Sequence, residues 1–87
     1  MEYPVAIERG DADHAWSVIV PDIPGAFSAG DTMAEALTNA HEAIVLQLTE
    51  LLDQGEPLPE PSSLHELAND PELANFNWAV VTVPPIS

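Results

Sequence analysis

The sequence predicts an α+β fold: a small, mainly antiparallel sheet with one long helix packed on a single face. Two patterns and one kind of punctuation predict it. Apolar residues alternate with a period of two near both ends of the chain, and they recur with a helical period between Met33 and Leu51. Pro and Gly cluster between these stretches, where the chain must change direction. The order is β-β-β-α-β, with a short extra helix before the last strand.

In the first strand Tyr3, Val5 and Ile7 alternate with Pro4, Ala6 and Glu8. That pattern predicts one buried face, and Pro4, lacking an amide hydrogen, belongs near the strand start or on a sheet edge. Gly10–Asp13 is turn material. His14–Val20 reads as the second strand, with Trp16, Val18 and Val20 on one side and Ala15, Ser17 and Ile19 on the other. Because the second side is also partly apolar, a helix or a second subunit is expected to cover it.

Pro21-Asp22-Ile23-Pro24-Gly25 ends that strand, with Gly25 suited to positive φ. Ala26–Ala29 is a short third strand stopped at Gly30. Thr32 followed by Glu35 matches a capping box, and Asp31 adds negative charge at the positive end of the helix dipole. Met33, Leu37, Ala40, Ile44, Leu48 and Leu51 then form an apolar stripe that predicts a helix to about Gln54, ended by Gly55. Glu35, Glu42, Thr49 and Asp53 fall opposite the stripe. Leu46 falls among them, roughly 220° from the Met33 direction.

Three prolines in alternate positions make Glu56–Pro61 an extended connector. Ser62 or Ser63 can cap a brief helix over Leu64–Asn69, and Asp70-Pro71-Glu72 starts another turn ending near Asn75. Phe76–Val83 reads as the last strand, stopped by Pro84-Pro85.

At 87 residues the chain is one domain, 1–87, able to hide roughly 60% of the surface that its unfolded form exposes. Apolar residues make up 46%, too many for disorder, yet no apolar run approaches a membrane span. The start lacks a basic and apolar secretory signal, and there is no cysteine, so a soluble cytoplasmic protein is the expectation. Fifteen acidic residues face one basic residue, Arg9, for a net charge of −14. A nucleic-acid binder must neutralise several phosphates, so direct binding to nucleic acid is excluded as an expectation. A basic protein partner fits the charge, because such a field accelerates the encounter.

No phosphate loop, Cys-His arrangement or spaced Ser-His pair is present, and the chain is not expected to be an enzyme. Asp11, Asp13, Asp22 and Asp31 fall in turns, where Asp is favoured for backbone reasons alone. His14, His41 and His65 have no pair at metal-ligand spacing. No cofactor or metal is expected.

One ordered set of segments carries more than its parts: Asp22-Ile23-Pro24-Gly25, Ser28-Ala29-Gly30-Asp31-Thr32, Glu35-Ala36 and Asn39-Ala40-His41-Glu42-Ala43. With the Tyr3–Glu8 strand before them and the Trp78-Ala79-Val80-Val81 strand after, they resemble the HicB antitoxins of prokaryotic toxin–antitoxin pairs. The resemblance implies a partial ribonuclease H-like sheet with one main helix. It also implies a partner, a basic HicA-like toxin that cleaves mRNA, which the antitoxin masks by covering the RNA-facing surface. Asp22, Asp31, Glu35, Glu42 and Leu46 are the candidate partner-binding residues. Most such antitoxins continue into a DNA-binding segment; this chain stops at Ser87, so operator binding is not carried over. A homodimer or larger homo-oligomer is expected from the two-sided apolar strands. Two alternatives stay open here: a ribonuclease H-like metal-dependent hydrolase, and an orphan oligomeric regulatory domain without a toxin.

Overall fold

A computed structural model describes residues 1–73 and 76–84. Four strands form one antiparallel sheet: β1 (Glu2–Glu8), β2 (Trp16–Ile19), β3 (Phe27–Gly30) and β4 (Asn77–Thr82). Between the last two come the long helix α1 (Met33–Asp53), the short helix α2 (Leu64–Ala68) and a single 3-10 turn at Pro71–Leu73. The spatial order is β3-β2-β1-β4, so the first strand is central and the last returns to lie beside it.

β1 is buried on both faces, whereas its alternation predicted one: Pro4 and Ala6 are as enclosed as Tyr3, Val5 and Ile7. Pro4 lies beyond the β1–β2 ladder, which pairs only Ala6, Ile7 and Glu8 with Ile19, Val18 and Ser17. The second strand is shorter than its sequence pattern because Asp11 organises the preceding turn. Its carboxylate accepts the amides of Asp13 and His14, each at 2.8 Å, and the Asp11 amide donates to the His14 carbonyl at 2.9 Å. His14 and Ala15 therefore belong to the turn. The third strand starts and ends one residue later than expected, at Phe27 and Gly30.

α1 begins at Thr32, whose hydroxyl accepts the Glu35 amide at 3.1 Å, the Thr half of the predicted capping box. It ends where Gly55, at φ 74°, permits a left-handed closure. The Gly55 amide donates to Leu52 and the Glu56 amide to Leu51, so the last carbonyls are satisfied. Ala36, Ala40, Ile44 and Leu48 are fully buried against Tyr3, Val5, Ile7, Val18, Val20, Val81 and Val83. The helix lies chiefly over β3 and β2 and only lightly over β4. Ser63 caps α2, accepting the Glu66 amide at 3.1 Å. The expected turn end near Asn75 and the stop at Pro85 lie outside the described residues.

Contact between α1 and β3 depends on Gly30, because a Cβ there would stand 2.6 Å from the Ala36 amide nitrogen. Backbone cannot yield as a flexible side chain does, so Gly30→Ala is expected to cost about 1–3 kcal/mol. Ile44→Ala, which empties the middle of the buried stripe, is expected to cost about 2–5 kcal/mol. Urea denaturation of both variants checks these values.

Candidate partner-binding surface

The helical period that buries Ala36, Ala40, Ile44 and Leu48 necessarily turns Glu35, Glu42, Leu46, Thr49 and Asp53 outward. All five are exposed, and Leu46 keeps 63% of its surface in water. From Glu35 to Leu46 the strip extends about 16 Å along the helix. Thr49 donates its hydroxyl to the Val45 carbonyl at 2.7 Å, which leaves this strip's polar display to the carboxylates.

Asp31 is exposed just before α1, at the β3 end that pairs with Trp16. There it lines an open depression of about 370 Å³ with the β1–β2 turn residues Asp11, Asp13 and His14. The fold thus adds two turn carboxylates to the acidic patch, a juxtaposition that sequence spacing did not reveal. His14 holds Asp11 at 2.9 Å through its ring Nδ1, and this hydrogen bond, with the Asp13 amide, lowers the Asp11 pKa. Favourable interaction from a depressed carboxyl is present above the ordinary Asp range and disappears on acidification.

Asp22 lies at the opposite end of the β2–β3 hairpin, half-buried, and does not join the others. Its carboxylate accepts the Ser62 amide at 2.8 Å and the Ser62 hydroxyl at 2.6 Å. Close by in the connector, the buried Tyr3 hydroxyl donates to the Pro59 carbonyl at 2.6 Å. These bonds fasten the proline-rich connector across the sheet end. The sequence held no local sign of a partnership spanning 40 residues.

Arg9 stacks over Trp16, its guanidinium carbon 6.0 Å from the ring centroid. Among the described residues no group of three His, Asp or Glu side chains is placed to hold a metal ion. Nor is any helix long and apolar enough to cross a membrane.

The family model described as the HicB-like antitoxin of bacterial toxin–antitoxin systems matches residues 3–87. The chain belongs to this HicB-like antitoxin family. It is 42% identical over 83 residues to a 14.9 kDa protein of Haemophilus phage HP1, covering 95% of this chain and 61% of that protein. It is 38% identical over 66 residues to Antitoxin HicB 2 of Photorhabdus laumondii, covering 76% of this chain and 46% of the relative. The HicB-like chain therefore spans roughly half to three-fifths of the lengths of these two relatives. Its fold superposes on the N-terminal domain of Burkholderia pseudomallei antitoxin HicB with a TM-score of 0.82, at 38% identity, covering 98% of this chain and all of that one. A chain of the HicA3–HicB3 toxin–antitoxin complex matches with a TM-score of 0.79, at 33% identity, again over 98% of this chain and 100% of that one.

Tyr3 offers a direct test of the fastened connector. Burial, and next the negative charge of Asp22, raise the phenol pKa above its ordinary value near 10. A raised pKa means that the stability it confers is complete below the unfolded-state value and lost as the pH rises through the folded-state value. Tyr3→Phe is expected to lower stability by about 1–2 kcal/mol at neutral pH and to flatten the alkaline decline. Since Tyr3 is the single tyrosine, phenolate absorbance follows its titration without overlap from another phenol.

Proposed function

We propose that this chain is the toxin-binding unit of a toxin–antitoxin pair, covering a basic, RNA-cleaving HicA-like protein. The observation that carries the reading is the match, over 98% of the chain, to a protein seen in a complex of HicA3 with HicB3. In this reading the toxin docks on the outer face of α1. Leu46 supplies a desolvated apolar centre, and Glu35, Glu42 and Asp31 meet cationic side chains that would otherwise hold phosphates. Asp22, bound to Ser62, adds to the field rather than touching the partner. The chain performs no reaction, works in the cytoplasm beside its toxin, and associates with copies of itself.

The acidic field has a kinetic consequence, because charge pairs at the rim of an interface act mainly on the rate of encounter. Association with a basic HicA-like toxin is expected to slow steeply between low and physiological ionic strength. Glu35→Gln with Glu42→Gln should reduce both the association rate and its salt dependence. Leu46→Ala should instead speed dissociation about tenfold or more. Stopped-flow binding and an RNA-cleavage assay read these effects. An unhindered toxin in the presence of excess wild-type chain overturns the reading.

A further inference from the structure

Residues 57–62 join α1 to α2 with little backbone support of their own. Pro57, Pro59 and Pro61 carry no amide hydrogen, and among the described residues no backbone group of this stretch bonds to another backbone group. Side chains at the end of the sheet hold it instead. Tyr3 of β1 donates its hydroxyl to the Pro59 carbonyl at 2.6 Å. Asp22, just past β2, commits both carboxylate oxygens to Ser62: Oδ2 accepts the amide at 2.8 Å and Oδ1 accepts the hydroxyl at 2.6 Å. Leu58, half-buried, packs against the core.

Apolar burial adds little beyond that one side chain. Among the described residues no fully buried apolar side chain lies between Glu56 and Leu73, and α2 buries no residue at all. α2 rests lightly on β4. Its cap residue, Ser63, directly follows Ser62, so the grip of Asp22 also fixes where this helix starts. Five residues are too few to stay helical without support, and α2 loses its anchor once Ser62 leaves Asp22.

Opening meets little opposition. Asp22 and Ser62 are already half-exposed, so both return to water and neither is stranded in the core. The sheet and α1 keep their contacts, because Ala36, Ala40, Ile44 and Leu48 pack with the strand residues of the core. A segment held by few apolar contacts and by bonds near solvent opens at a lower free energy than the whole fold. The two bonds to Asp22 have a charged acceptor, which makes them the strongest of those that opening breaks.

We propose that residues 56–68 form a strap that opens and closes as one unit on a folded sheet and helix, with the Asp22 carboxylate as its latch. Closed, the strap helps to shield Tyr3, which has no exposed surface. Open, it gives Tyr3 and the α2 side of β4 to solvent. The device goes beyond the toxin-binding role, since Glu35, Glu42 and Leu46 lie on α1 and stay in place in both forms.

Native-state amide exchange of the full chain, followed by NMR over sub-denaturing urea concentrations, tests the strap. In the closed form the Ser62 amide is bonded to Asp22 and the Leu67 amide to the Ser63 carbonyl. The two are expected to share one opening constant, about 100-fold or more above that of Ile44 and Leu48. Urea should barely change it, because opening uncovers little surface, whereas Ile44 and Leu48 should carry the full urea dependence of unfolding. Asp22→Asn replaces one acceptor oxygen with an amide group that donates, and so sets donor against donor at Ser62. It should raise the opening constant of Ser62 and Leu67 alike by about tenfold or more, with the helical circular dichroism unchanged. Ser62 and Leu67 amides that follow Ile44 in rate and urea slope overturn the proposal, as do unequal opening constants for the two or an Asp22→Asn chain that exchanges like wild type. Should Asp22→Asn fail to fold, Ser62→Ala, which removes one bond and keeps the charge, is read in the same way. No toxin enters the experiment, so its failure is distinct from a failure of the antitoxin reading.

Discussion

The close seat of α1 on β3 is the contact on which the rest of the structure depends. At Gly30 and Ala36 the helix and the strand meet with no side chain between them, and a single added carbon would collide with helix backbone. Ser28 completes the seat by donating its hydroxyl to the Ala36 carbonyl at 2.7 Å. Larger residues farther along the stripe, Ile44 and Leu48, then fill the space over the remaining strands. Because the helix is drawn down at one edge of the sheet, it covers that side closely and leaves the other side grooved. The rotation of α1 about its own axis is fixed by the same contact, so the outward set Glu35, Glu42 and Leu46 is a consequence of the inward set.

This division of labour also explains how one short chain can offer two different surfaces. One is a convex helical strip rich in carboxylates. The other is an uncharged strand, Asn77–Thr82, beside a groove lined by Leu37, His41, Val80 and Val81. The first suits long-range attraction, and the second suits short-range backbone hydrogen bonding, which tolerates little charge nearby. The outer face of the sheet adds exposed apolar surface at Phe27, Ile19 and Val80, which no element of this chain covers completely.

Much of the fold was legible because its elements are punctuated by residues with backbone reasons to be there. Thr32 and Gly55 mark both ends of α1, and the stripe from Ala36 to Leu48 marks its buried side. The candidate residues on α1 were legible for the same reason, since helical period alone turns them outward. What escaped was everything decided by sequence-distant neighbours. Alternation in Tyr3–Glu8 signals one buried face, yet in the folded chain Pro4 and Ala6 are enclosed as well. The pattern from His14 looks like strand, yet Asp11 captures the amides needed for a turn. Asp22 has the composition of a surface contact, and only its meeting with Ser62 shows the carboxylate already engaged.

Arg9 is the single Lys or Arg side chain, and its place over Trp16 leaves the fifteen carboxylates almost without internal counter-charge. Neutrality must come from dissolved sodium, potassium or magnesium gathered loosely around the folded molecule. Any cationic protein that settles on it sends part of that ionic cloud back to bulk solution, and the entropy of release drives complex formation alongside direct attraction. The same cloud eases mutual repulsion among the acids, so the isolated chain should be firmest in the saline conditions that most weaken its grip on a cation.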